Sequence, residues 1–195
     1  MTNPTGGAPQ GNWQAPPPGG APGGFNPNMQ QVAAEPGPAP GVTYADLVTR
    51  IIAAVIDGVA LFVVNAILGG IGLAIGGLGG NFIISAFFGV VFAAANAAYF
   101  VYGWTRMRAS FGQKFLKLET VSAADGSTLT QEQAIRRWAF LYGPWAVAAI
   151  IPILGSLLML LVGLYELYLL YTVSQSAKRQ GFHDTQAGTV VIKHA

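Results

Sequence analysis

Cysteine is absent from this 195-residue chain, which excludes disulfide frameworks and thiolate metal sites. Charge is nearly as scarce: 9% of residues are Asp, Glu, Lys or Arg, against about a quarter in an ordinary soluble domain. The first 41 residues hold no Lys, no Arg and no apolar run, so a cleaved secretory signal is not expected there and the first apolar segment should be retained. No nucleophile with a placed base is visible, and the basic residues lack the aromatic interleaving of a nucleic-acid surface. An enzyme and a nucleic-acid binder are therefore not expected, and neither is a bound cofactor or metal.

Apolar sequence takes the place of charge. Hydrophobic residues make up 52% of the chain and mean hydropathy is +0.47. Residues 1–45 are the exception, with ten of the twelve prolines and nine glycines. Such a segment lacks the apolar surface that offsets ordering entropy, so a disordered tail is expected, with Trp13 and Phe25 as isolated aromatics in it.

The region 46–176 reads as an all-α membrane domain of four transmembrane helices. The first span begins near Leu47 and carries Arg50 and Asp57. Eleven Ile, Leu, Val or Phe residues between Ile51 and Leu68 outweigh the insertion cost of the carboxylate. Gly69–Gly80, with seven glycines, reads as a turn at the far side of the membrane or a flexible extension of the helix, the turn being favoured, although the four-residue spacing of Gly72, Gly76 and Gly80 also suits close helix packing. A second span covers about Phe82–Trp104. Its small residues Ser85, Gly89, Ala93 and Ala97 form a strip for another backbone, Asn96 suits an interhelical hydrogen bond, and Tyr99, Tyr102 and Trp104 mark the interface.

Residues 105–137 carry six of the ten basic residues and form a polar loop. Phe111, Phe115 and Leu118 beside Lys114 and Lys117 suit a short helix on an anionic leaflet, or an ordinary folded loop. Asp125-Gly126 signals a turn, and Thr130 with Gln133 signals a capping box. The 36-residue, largely apolar stretch from Trp138 to Val173 suits a hairpin of two spans turning near Pro152 and Gly155. The alternative is three spans plus a re-entrant arm. Four spans gather Arg50, the loop cations, Lys178, Arg179 and Lys193 on one face, the cytoplasmic one, together with both termini and the segment 177–195.

Three ionisable residues stand at membrane depth: Arg50, Asp57 and Glu166. A carboxylate in low dielectric can exchange a proton or bind a cation if a pathway reaches it, which makes these a candidate ion or proton site. The structural reading is that they only fix helix packing. Arg50 and Asp57 share a helical face but are separated by about 10.5 Å along the axis, too far for Asp alone to close. His183-Asp184 can titrate, but two adjacent ligands make a weak metal signal, and a surface salt bridge or cap is the expected role.

Several ordered motifs converge on one pattern. Arg50-x6-Asp57, Gly112 to Leu118 followed by Asp125-Gly126 and Thr130, Arg136-Arg137, and His183-Asp184 leading into Ala187-Gly188-Thr189-Val190-Val191 resemble the RDD family of bacterial membrane proteins over roughly residues 44–193. Gln113, inserted between Gly112 and Lys114, departs from the usual loop pattern. The arginine and two aspartates that name the family match Arg50, Asp57 and Asp184. The resemblance implies a bacterial cytoplasmic membrane protein and cation/proton antiport in some members. The resulting expectation is a transport component that uses Asp57, with Arg50 tuning it and Glu166 as a second acid. The alternative is a non-transporting scaffold or accessory subunit that recruits partners through its tail and basic loop. Expected partners are the bilayer, anionic lipid at the loop, and a second copy or another membrane protein.

Overall fold

The computed structural model describes residues 37–76, 82–150 and 155–194. Most of these are helical: α1 (Leu47–Gly76), α2 (Phe82–Arg106), α3 (Phe111–Phe115), α4 (Gln131–Ile150), α5 (Gly155–Gln175) and α6 (Phe182–Ala187). Among the described residues three segments, Leu47–Ile75, Phe82–Arg106 and Leu157–Gln175, are long and apolar enough to cross a membrane. Their outer sides expose residues such as Val59, Phe62, Ile83, Phe87 and Leu167, as lipid contact requires. α4 is 20 residues long but carries Glu132, Arg136 and Arg137 in its first two turns.

The all-α expectation needs amending. Strands β1 (Val42–Tyr44), β2 (Leu118–Ser122) and β3 (Thr189–His194) form an antiparallel sheet of order β1-β3-β2. In register, Tyr44 faces Ile192 and Val121 faces Val190. The strands are short and rich in Val, Ile and Thr, which pack well on a pleated surface. Val42, Val121, Val190 and Ile192 bury one face of the sheet.

β1 lies within the segment expected to be a disordered tail, so that expectation fails for residues 42–44. Residues 1–36, with Trp13 and Phe25, lie outside the described residues. Where it can be seen the glycine run is an extension of the helix and not a turn, because α1 continues through Gly69, Gly70 and Gly72 to Gly76. Backbone in an apolar medium must satisfy its own hydrogen bonds, and a helix does so despite poor intrinsic propensity. A Cβ on Gly72 would come 3.1 Å from the Phe88 ring, so this position lets α1 approach α2. Gly77–Gly80 lie outside the described residues, as does Pro152 between α4 and α5.

The turn and cap signals correspond to local structure. Ser127 N–H donates to Asp125 Oδ1 beside Gly126, whose φ is 70°. Thr130 and Gln133 exchange side-chain to backbone bonds at the start of α4. The small-residue strip on α2 serves this chain itself at Gly89, where a Cβ would meet Ala149 O of α4 at 2.5 Å. Trp138 Nε1 donates to Asn96 Oδ1 at 2.7 Å, the interhelical bond expected of Asn96. Below it Phe100 stacks on Tyr142, and both pack with the Trp104 and Leu129 cluster between α2 and α4.

Candidate buried polar site

Asp57, in the third turn of α1, is buried. Its carboxylate accepts from Tyr99 O–H at 2.6 Å, Ser110 Oγ–H at 2.5 Å and Gly112 N–H at 2.7 Å. Phe111 N–H in turn donates to the Tyr99 oxygen. The donors come from α2 and the start of α3, so one carboxylate pins the loop against α1. Only glycine fits at 112: a Cβ there would lie 2.1 Å from Ala53 O and 3.1 Å from Asp57 Cγ.

Asp184 is the second centre. Its side chain is fully buried, as α6 folds back against α4. Asp184 Oδ2 accepts from Arg50 Nη1 at 2.8 Å and from Gly181 N–H at 2.9 Å, reaching back over the first turn of α6. Oδ1 accepts from Arg137 Nη1, which also donates to Thr189 Oγ1 at 2.7 Å. Arg50 Nε donates to Ala45 O, and its Nη2 approaches Val191 O at 3.5 Å. Gly188, at φ 64°, turns the chain from α6 into β3 and so delivers Thr189 to this cluster. Two guanidiniums thus share one carboxylate, an arrangement in which each buried charge depends on the others.

A polar bridge joins the centres. Arg137 lies over the Trp104 ring at 5.1 Å, and Trp104 Nε1 donates to Gln113 Oε1 at 3.1 Å. The same oxygen accepts from Ser110 N–H and Thr120 Oγ–H. Gln113 is therefore the hub of the loop as well as the third residue of the α3 capping box.

A cavity of about 160 Å³ opens beside the bridge, lined among others by Arg50, Asp57, Arg137, Tyr142, Glu166 and His183. Glu166, on α5, accepts from Trp145 Nε1 at 2.9 Å. His183 lies on the cavity's α6 side with Nε2 3.5 Å from Asp184 Oδ2. Burial, then the charges of Arg137 and Arg50, hold the His183 imidazole well below its ordinary value, so it is neutral. Arg137 Nε and His183 Nδ1 are buried without a hydrogen-bond partner among the described residues. No cluster of three His, Asp or Glu side chains suited to a metal occurs among the described residues.

Arg50, Asp57, Glu166 and His183 therefore meet around one cavity, but not in the expected pairings. Arg50 bonds Asp184 rather than acting on Asp57 directly, and Asp184 is a buried hub rather than a surface salt bridge. Tyr99 and Trp104 turn inward, whereas Tyr102 stays exposed. Leu118 is buried in β2 and does not share the face of Phe111 and Phe115. The sequence reading missed Tyr99, Ser110 and Gly112 as partners of Asp57 and Arg137 as the partner of Asp184. Helix phase held a signal for the last: Ala134, Arg137 and Leu141 fall on one stripe, and Arg136 falls off it.

A sequence model of the RDD family matches residues 44–188, the stretch that contains α1 to α6 and all three named positions. The chain belongs to the RDD family. It is an RDD-family membrane protein, and its apolar helices are compatible with several crossings. No curated protein and no solved structure matches it.

Proposed function

We propose that this RDD protein is a membrane transport component for cations or protons, with Asp57 and Glu166 as the carboxylates that meet the moving ion. The observation that carries this reading is the shared cavity. Two acids from different helices, α1 and α5, line one partly open cavity in a bundle whose outer surface is apolar. Ionisable groups at such depth are costly and stand characteristically on ion pathways. In this reading Arg50, held in place by Asp184, lines the cavity, and the neutral His183 faces the same space.

The proposal includes four crossings with both ends on the cytoplasmic side of a bacterial cytoplasmic membrane. The sheet supports it. β2 precedes α4 and β3 follows α5, yet the two strands pair, so the path through α4 and α5 returns to the side it left. α5 is long enough to cross, whereas α4 past Arg137 keeps 13 residues, or about 20 Å of helix, so its crossing rests on the strand pairing rather than on its length. β1 pairs with β3 as well, which brings the chain ahead of α1 to that side, where the basic residues collect.

The test is proton and monovalent-cation flux in proteoliposomes for the native chain and Asp57→Asn, with thermal stability recorded for both. Flux lost from a folded variant supports the transport reading; no flux from the oriented, folded native chain refutes it. A scaffold reading has one observation in its favour: three donors already occupy the Asp57 carboxylate, and Asp184 occupies both arginines. Deleting residues 1–36, which spares β1, separates the two. A scaffold working through its tail loses activity although it still inserts, whereas a transport core keeps its activity.

A further inference from the structure

We propose that the corner between α2 and α3 is a seat for an anionic lipid, with phosphate held by Arg106, Lys114 and Lys117 and acyl chain laid against Phe111 and Phe115. The two phenylalanines are 57% and 73% exposed on a five-residue helix, an arrangement that is unfavourable in water. Their depth explains it. Gly112 packs on Ala53 and donates to Asp57, so α3 lies along α1 rather than above it. Those contacts are six and ten residues past Leu47, or about 9 and 15 Å along the axis. With the 30-residue α1, about 45 Å long, centred on a hydrocarbon core of about 30 Å, they lie roughly 2 and 8 Å inside the core edge, the upper acyl zone where amphipathic helices rest.

Charge points to the sign of the lipid. Arg106, Lys114 and Lys117 are exposed and form no ion pair among the described residues. The neighbouring acid Glu119 is taken by Arg108 at 2.7 Å. Lys117 adopts φ 56° at the end of α3, where the chain reverses into β2. Cations beside apolar rings at headgroup depth match a phosphodiester with attached chains; a soluble phosphate would leave the phenylalanines uncovered.

The test uses the full chain in phosphatidylcholine vesicles with a minor fraction of spin-labelled phosphatidylglycerol, and reads the preference for that lipid over spin-labelled phosphatidylcholine. The native chain should prefer the anionic lipid, and preference should fall about fivefold for each cation removed in Lys114→Gln and Lys114→Gln/Lys117→Gln. Arg136→Gln, on the exposed face of α4, should leave it unchanged. Phe111→Ser/Phe115→Ser should weaken it too. High salt should weaken the native preference, a measurement that needs no variant. The proposal is overturned by an equal preference for both lipids in the native chain, by full preference in the double lysine variant, or by displacement of the lipid with added inorganic phosphate.

Discussion

Replacing Asp184 with Asn should be among the most destabilising single changes in this protein, and more costly than replacing either arginine that it holds. The carboxylate is fully buried and accepts from Arg50, Arg137 and the Gly181 amide. Asn keeps the shape but leaves two buried guanidiniums facing each other without a counter-charge. Breaking a buried ion pair by removing one partner costs about 3–5 kcal/mol. Arg50→Gln instead leaves the Arg137–Asp184 pair intact, and its side chain is 11% exposed, so its cost should fall nearer 1–3 kcal/mol, the range for a lost hydrogen bond to a charged group. The assay is thermal unfolding in one detergent for the native chain and both variants. Asp184→Asn should lower the midpoint by on the order of 10 °C and Arg50→Gln by clearly less. A smaller loss for Asp184→Asn than for Arg50→Gln would refute the shared-carboxylate reasoning.

Other expectations follow from the same contacts. Burial with Arg137 and Arg50 nearby depresses the folded-state His183 value, so the unfolded chain takes up a proton at about pH 6.5 while the folded chain does not. Stability present above that pH should be lost as pH falls below it, at about 1.4 kcal/mol per pH unit, and His183→Gln should remove this component when unfolding is compared across that range. Gly112→Ala puts a Cβ 2.1 Å from Ala53 O, which should force α3 off α1 and cost about 1–3 kcal/mol in a melt, with added exposure of residue 110 to labelling in a cysteine variant. Ser110→Ala removes one donor to Asp57 without a clash and should cost about 1.5–3 kcal/mol in the same melt.

Much of the bundle was legible because its signals are long. Runs of apolar residues at α1, α2 and α5 exceed the length of a bilayer crossing, and Thr130 with Gln133 marks a helix start by local chemistry. The sheet was not legible. Val42–Tyr44 adjoins a Pro/Gly-rich tail, and its pairing with residues 192–194 spans almost the whole described chain, which no local pattern encodes.

The same distance effect governs the site. Arg50, Asp57, Glu166, His183 and Asp184 stand out singly because charge is rare in apolar sequence. Their pairings depend on how α6 folds back on α4 and how Ser110–Gly112 meets α1. Asp57 and Arg50 are near in sequence, yet their partners lie 53 and 134 positions away, at Ser110 and Asp184. Gln113 looked like an insertion in the loop pattern, and only the fold reveals that its one oxygen gathers three donors.

The most direct test of the transport account is flux through Glu166→Gln. Among the hydrogen bonds described, Glu166 makes one, from Trp145, and Gln can still accept it, so the variant should fold and assemble as the native chain does. Measured in proteoliposomes at equal folded protein, the account predicts a proton or cation flux in the native chain that falls severalfold or more in Glu166→Gln. Native flux that the substitution leaves unchanged would remove Glu166 from the pathway, and the absence of any native flux would contradict transport altogether.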